Sequence, residues 1–435
     1  MAKSKVAKEE NEKENLIDPF KEIDDVISKQ FDDLVDISKI DTSVKTWYDS
    51  GVYSFNYICS KNIHGAYAKG RIIGLDGLSG TGKSLLASVA MRDPKIDYVV
   101  IIESEGGGNS DELITFAGVD KRKVRIIKSS TFVSYKVNKK TKAIEEIADK
   151  NVPKNKDTET FYYVEGAGSI LRRFAQTIQF GGLKKNILII LDSLGNMQSI
   201  RGMAGGMDMG KRGQDITNFF KNFDNEFEKA GLTFLFTNKL YQSFDPYHPY
   251  VQTGGESPIY NSSLYIRLST TTDSDDVTNT EMEIEKERRK SALGSSLKTI
   301  KMNVVKSRFG TEMRNIPFLL DFAVGPVRMS GLFRLLIDFG VIKKINSSRY
   351  ELPGVIEGSF FKKDFVDLIL KDEENNINKI QELLELREIE IKNERRNIQA
   401  SDMEDVEEKI IEMGDDPFGF DSDEMKKEFI KDYEG

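Results

Sequence analysis

The chain has 435 residues, 39% of them apolar and 31% charged, the balance of a globular protein with room for a large core and a smaller second unit. No apolar run approaches the roughly 20 residues of a bilayer-spanning helix, and the charged opening MAKSKVAKEENEKEN does not read as a signal peptide. Cys59 is the single cysteine, so no intrachain disulfide can form; with only His64 and His248 beside it, no structural zinc site is expected, and a reducing cytoplasm fits.

The net charge of −8 is uneven. Ser401 to Gly435 holds 14 acidic and 4 basic residues, a net of −10, which leaves +2 for the 400 residues before it. Acidity is thus a property of the tail, and acidic tails often act as interaction or regulatory segments.

Residues 1–50 open with amphipathic spacing at Leu16, Phe20, Ile23, Val26, Ile27 and Phe31, which predicts one or two helices outside the main core. From Arg71 the pattern is strand then helix, repeated. Strands are expected at 71–76, 97–102, 124–127, 186–191 and 232–236, with helices after Lys83, over 170–179 and over 216–229, the last capped by Asp215. Such alternation predicts an α/β fold, a mostly parallel sheet flanked by helices. Segments 263–269 and 298–305 read as antiparallel additions to it. Thr131 to Tyr163 carries VNKKTK and VPKNKDTE and reads as a surface hairpin or mobile loop. The core is expected to span 51–328. A small helical unit follows over 329–400, with helices at 331–339, 361–370 and a charged one from Glu373, and then a tail, 401–435, expected to be disordered.

Chemistry concentrates in RIIGLDGLSGTGKS, Arg71 to Ser84. Within it Gly77-Leu78-Ser79-Gly80-Thr81-Gly82-Lys83-Ser84 is G-x-x-x-x-G-K-[ST] between a strand and a helix, the context a phosphate-binding loop needs. Glycines let successive N–H groups converge on phosphate oxygens, and the helix N-terminus adds its dipole. Lys83 can reach β- and γ-phosphates, and the Ser84 hydroxyl suits Mg²⁺. Asp192, at the end of the buried strand ending at Leu191, is placed to supply the carboxylate for Mg²⁺. Hydrolysis needs a second carboxylate to orient water, and the strand following the phosphate-loop helix ends in Ile102-Glu103-Ser104-Glu105-Gly106. Glu105 is favoured, with Glu103 as the alternative.

Two further stretches emerge on the nucleotide side. GNMQSIRGMAGGMDMGKRGQ, 195–214, carries Arg201, Met207, Lys211 and Arg212; KLYQSFDPYHPYVQTGGES, 239–257, carries Tyr241, Phe244, Tyr247, Tyr250 and then Gly254 and Gly255. Basic residues beside aromatic and sulfur side chains suit single-stranded nucleic acid, through phosphate contacts and base stacking, although loop aromatics more often pack against the protein.

The order of Ile190-Leu191-Asp192-Ser193-Leu194-Gly195-Asn196, Thr253-Gly254-Gly255 and Val304-Val305-Lys306-Ser307-Arg308 behind the phosphate loop resembles the RecA recombinases, and among them the UvsX recombinases of T-even-like bacteriophages. The likeness covers about Ser50 to Lys344. It implies an ATP- and Mg²⁺-dependent protein that forms helical filaments with itself on single-stranded DNA. Such a filament pairs that strand with homologous double-stranded DNA and exchanges strands, in phage recombination, repair and replication within the cytoplasm of an infected bacterium. A mediator and a single-strand-binding protein are implied as partners, and no membrane. By position Glu105 matches the catalytic glutamate, and Lys306 and Arg308 match cations that reach the ATP of the neighbouring protomer. Met207 and Arg212 fall in the first DNA loop, and the second begins near Lys239. Residues 44–58 and the N-terminal unit match the part that docks onto the next subunit. Lys239 stands where a γ-phosphate sensor is usually Gln or His, and Leu113 where an aromatic stacks on adenine. The competing expectation is a hexameric DNA helicase on the same core.

Overall fold

A computed structural model describes residues 43–104, 110–127, 134–137, 144–147, 158–159, 164–197, 209–221, 223–243, 250–271, 281–286, 297–310 and 315–412. Met1–Lys45 and Thr46–Gly435 are two separate units, and every described strand and helix belongs to the second.

In chain order the elements are β1 (Trp47–Tyr48), α1 (Tyr53–Ser60), β2 (Tyr67–Ala68), β3 (Ile72–Gly77), α2 (Lys83–Ala90), β4 (Tyr98–Glu103), α3 (Ser110–Ala117) and β5 (Val124–Ile127). Next come β6 (Ser134–Val137), β7 (Ile144–Ile147), β8 (Thr158–Glu159), α4 (Val164–Phe180), β9 (Ile187–Asp192), α5 (Met209–Lys221), α6 (Asp224–Ala230), β10 (Thr233–Gln242), β11 (Tyr250–Gln252), α7 (Ser257–Asn261) and β12 (Leu264–Thr270). A helical turn over 281–286, α8, precedes β13 (Leu297–Ser307), β14 (Asn315–Asp321), β15 (Gly325–Pro326), α9 (Leu332–Asp338), β16 (Lys343–Lys344), β17 (Arg349–Glu351), β18 (Phe360–Phe361), α10 (Phe365–Leu370) and α11 (Glu373–Glu412).

The main sheet runs β15-β14-β13-β12-β3-β10-β9-β4-β5, with β11 attached to β10. From β12 to β5 every neighbour is parallel; β13, β14 and β15 add antiparallel strands at one side. The α/β expectation holds, with one correction: β12, expected to be antiparallel, pairs parallel with β3, and only β13 reverses.

The inner strands read as unbroken apolar runs because both faces are covered. Along β9, Leu188 and Ile190 join a core shared with α1, α2, α9 and α10, while Ile187, Ile189 and Leu191 join a second core against α4, α5 and α6. That second layer is a cluster of Phe219, Phe220, Phe223, Phe227, Phe234 and Phe236, all buried, with ring centroids such as Phe223–Phe227 4.7 Å apart. Each such side chain contributes about 1.5–3 kcal/mol of burial, and tilted ring pairs add about 0.5–1.5 kcal/mol each.

Three more expectations change. The helix expected over 216–229 is two helices, and Asp215 lies inside the first, 4% exposed, rather than capping it. The tail expected to be disordered from 401 is helical as far as Glu412, where α11 ends, while the hairpin expected within 131–163 is present as β6–β7, with β8 as a third antiparallel strand. The C-terminal unit is not purely helical: β16, β17 and β18 form a small antiparallel sheet. Its helices α9, α10 and α11 share the first core with α1, which is buried along almost its whole length. Cys59 is fully buried there, and burial pushes its thiol up, so it is inert packing. Among the described residues no helix is long and apolar enough to cross a membrane.

Candidate nucleotide site

The site lies at the C-terminal edge of the parallel strands, where β3 ends and α2 begins. Gly82 sits immediately before α2 with φ +84°, a left-handed conformation that costs a non-glycine residue about 1–2 kcal/mol. A Cβ there would also collide with Leu320 Cδ2. Gly77 is required by close approach: a Cβ would lie 2.5 Å from the carbonyl oxygen of Leu268 on the neighbouring strand. The loop is therefore pressed against β12 and β14 on one side and open on the other, with Leu78, Ser79 and Gly80 exposed.

That open side is one wall of a cleft of about 400 Å³, within the size range of small-ligand sites. Gly77, Ser79, Gly80, Gly82, Lys83 and Ser84 line it from the loop; Asp192, Ser193, Thr237, Lys239, Leu240, Tyr241 and Phe322 line it from strand ends. Thr81 is buried and turns its hydroxyl inward, donating to the carbonyl of Leu78 at 2.9 Å. The Lys83 ammonium folds back onto the carbonyls of Gly77 at 2.9 Å and Leu78 at 2.7 Å. It is thus already aimed along the loop.

Asp192 ends β9, and its Oδ1 accepts a hydrogen bond from the buried Thr237 hydroxyl on β10. The Asp192–Ser193 peptide is cis. Ser104 Oγ donates to the Ser193 carbonyl at 2.6 Å and accepts from the Ser193 N–H at 2.7 Å, tying the ends of β4 and β9 together. In that register Glu103 stands directly across from Asp192, so the two carboxylates share a face of the sheet. Glu105, the favoured water-orienting residue, lies outside the described residues, as do Arg201, Met207, Phe244 and Tyr247. Lys211 and Arg212 fall in the first turn of α5, their side chains outside the described part of the chain.

Lys239 enters the cleft from β10, and its ammonium donates to Asn196 Oδ1 at 2.7 Å. The segment starting there is not simply a loop. β10 continues to Gln242 and pairs with β11, Tyr241 opposite Val251 and Gln242 opposite Tyr250. Tyr241 and Tyr250 are exposed on this hairpin, and Tyr241 also faces the cleft. Gly254 packs at the hairpin base, where a Cβ would meet Ile216 Cδ1 of α5 at 2.7 Å; Gly255 has nothing within 4 Å of such an atom.

Sequence reasoning missed three contributors. Thr237 and Asn196 act by holding Asp192 and Lys239. Phe322 supplies the aromatic wall that Leu113, on α3 and outside the cleft lining, does not; the Lys298 ammonium lies 5.0 Å from its ring centroid. An aromatic just after a strand that ends beside the loop was the available signal.

Lys306 and Arg308 lie elsewhere. The Lys306 ammonium donates to the carbonyls of Tyr260 and, at 3.0 Å, Ile259, and Arg308 lies 3.5 Å from the Tyr260 carbonyl oxygen. The Arg308 N–H binds the carbonyl of Ser263, whose own N–H binds that of Ile72. Arg308 is therefore level with the start of β3, five residues before Gly77. At ~3.3 Å per residue this is about 17 Å along the strands, at the opposite edge of the sheet from the cleft.

The residues fit a magnesium nucleoside triphosphate: a glycine turn open on one side, a lysine at its mouth, and a hydroxyl and carboxylate beside it. No protein-family model matches the sequence, and no curated protein is significantly similar to it.

Proposed function

We propose that this chain is a DNA-dependent ATPase of the RecA-recombinase kind, which assembles on single-stranded DNA and exchanges strands with homologous duplex DNA. The observation that carries the reading is the distance between two cationic groups. The phosphate-binding loop and the Lys-Ser-Arg triplet occupy opposite sheet edges of one chain. If both serve one nucleotide, a second copy must bring the triplet, which suits a head-to-tail assembly.

Bound ATP with Mg²⁺ supplies a phosphoanhydride bond whose oxygens the ion neutralises. The chain's part is positioning. Lys83 would exchange its loop carbonyls for phosphate oxygens; Ser84 and Asp192 would hold the cation; Thr237, donating directly to Asp192 Oδ1, would fix the orientation of that carboxylate. Glu105, or Glu103 across from Asp192, orients water. Phe322 offers a flat apolar face to the base. Lys239 would exchange Asn196 for the terminal phosphate, a movement at the foot of the hairpin, which together with 195–214 would offer cations and aromatics to DNA.

Negative-stain microscopy with single-stranded DNA and a slowly hydrolysed ATP analogue tests the reading. Helical filaments are expected. Closed rings would replace it with a hexameric helicase, and no assembly would remove both.

A further inference from the structure

A charged residue interrupts β3 immediately before the phosphate loop: Asp76, fully buried. Its partner is Arg267, its direct neighbour on β12, which grips it with both arms, Nε to Oδ1 at 2.9 Å and Nη2 to Oδ2 at 2.7 Å. Arg267 Nη2 also donates to Gln252 Oε1 at 3.2 Å. Gln252 ends β11, and its amide donates to the carbonyl of Gly255 at 3.0 Å and to Glu256 Oε1 at 3.1 Å. A continuous polar chain thus joins the last residue before the loop to the foot of the β10–β11 hairpin.

Stability does not account for this chain. A buried ion pair can usually be replaced by apolar side chains of similar volume at little cost. What a two-armed guanidinium contact supplies is fixed relative geometry. Its position gives that rigidity a purpose. Gly77 is in contact range of Leu268, so β3 and β12 cannot slide independently at the loop. The Lys83 ammonium, held on the Gly77 carbonyl, also acts electrostatically on Asp76. Drawing Lys83 toward a phosphate changes the field at Asp76.

We propose that Arg267 and Gln252 are positioning residues that transmit occupancy of the phosphate loop to the hairpin, by a route separate from Lys239. This inference rests on the nucleotide reading of the cleft. It adds a specific mechanical link between that site and a surface offered to nucleic acid.

Hydrogen–deuterium exchange on the full-length protein, with and without Mg²⁺ and a non-hydrolysable ATP analogue, tests it. In the unaltered protein the nucleotide should slow exchange over both 77–84 and 250–256. Gln252→Leu leaves the ion pair in place and removes the bonds of Gln252 to Arg267, Gly255 and Glu256, so each protein is compared with itself, with and without nucleotide. It should keep the melting temperature and the slowing over 77–84, while the slowing over 250–256 falls about fivefold or more, the lower end of site-to-site couplings. Asp76→Leu/Arg267→Met, which replaces the pair without stranding a charge, should behave in the same way. Equal slowing over 250–256 in the unaltered protein and Gln252→Leu would overturn the proposal, as would slowing confined to 77–84 in the unaltered protein. Absence of any slowing over 77–84 would instead overturn the nucleotide reading on which it rests.

Discussion

If Arg308 completes a neighbour's site, two inactive proteins should restore each other. Lys83→Ala removes the charge on the glycine loop, and Arg308→Ala removes the distant cation; Arg308 is exposed at the other edge of the sheet, so its loss should leave folding intact. Each alone should hydrolyse ATP at least about 10³-fold more slowly than the unaltered chain. In a random head-to-tail assembly, an interface is complete when an Arg308→Ala chain offers its loop to a Lys83→Ala chain offering its arginine. At a 1:1 ratio about one interface in four meets that condition, so activity should recover to about 25% of the unaltered protein. The recovery should follow the product of the two fractions and vanish at either extreme. Steady-state hydrolysis on saturating single-stranded DNA at fixed total protein reads this directly, with co-sedimentation confirming mixed assemblies. Mixed assemblies without recovery at any ratio would refute the argument from the ~17 Å separation along the strands.

The loop glycines differ in a measurable way. Gly80→Ala adds a methyl to open space at φ +75° and should cost about 1–2 kcal/mol, whereas Gly82→Ala adds a collision with Leu320 and about 1–3 kcal/mol more; equal losses of unfolding free energy would show that Leu320 does not confine the loop. Thr237→Val keeps the shape but strands an Asp192 oxygen, so the Mg²⁺ concentration for half-maximal hydrolysis should rise about 10- to 100-fold, with recovery at excess metal; an unchanged Mg²⁺ requirement would remove Thr237 from the site. A chain ending at Ala400 lacks a net charge of −10 and should bind duplex DNA more tightly at low salt, the gain shrinking as screening shortens to about 8 Å at 0.15 M; equal affinities at low salt would leave the tail without an inhibitory role.

What the sequence disclosed was local. A strand, a glycine turn and a helix in succession identify the loop without any distant contact, and an apolar run ending in Asp192 identifies a strand edge. What it hid was either long-range or short. Thr237 and Asp192 are 45 positions apart, Asp76 and Arg267 191 apart, and no periodicity links them. A lone Asp in IIGLDG and a lone Arg in LYIRLST were each a sign that a buried charge needs a partner. Strands β16 to β18 have two or three residues, too few for alternation to register. The extension of β10 through Lys239-Leu240-Tyr241-Gln242 leaves the core, so its side chains lose the apolar pattern although its backbone remains paired. Helix α5 starts at Met209 despite Gly210 and Gly213 because Ile216, Phe219 and Phe220 bury one side of it; packing outweighs glycine's poor propensity.

Strand β10 works on both of its sides. Thr237 and Lys239 project one way, to Asp192 and Asn196; Asn238 projects the other, donating to the Thr253 carbonyl at 3.0 Å and the Tyr265 hydroxyl at 3.4 Å. Changes of length in this strand must therefore obey parity. Inserting or deleting one residue between Thr233 and Phe236 exchanges the two sides, sending the amide into the cleft and the ammonium toward Tyr265. A change of two restores the sides but displaces every group by about 6.6 Å, more than a hydrogen bond can span. A change of length that spares both sets of contacts must fall beyond Gln242, and the pitch of one extended strand is the ruler against which the cleft and the hairpin are both set.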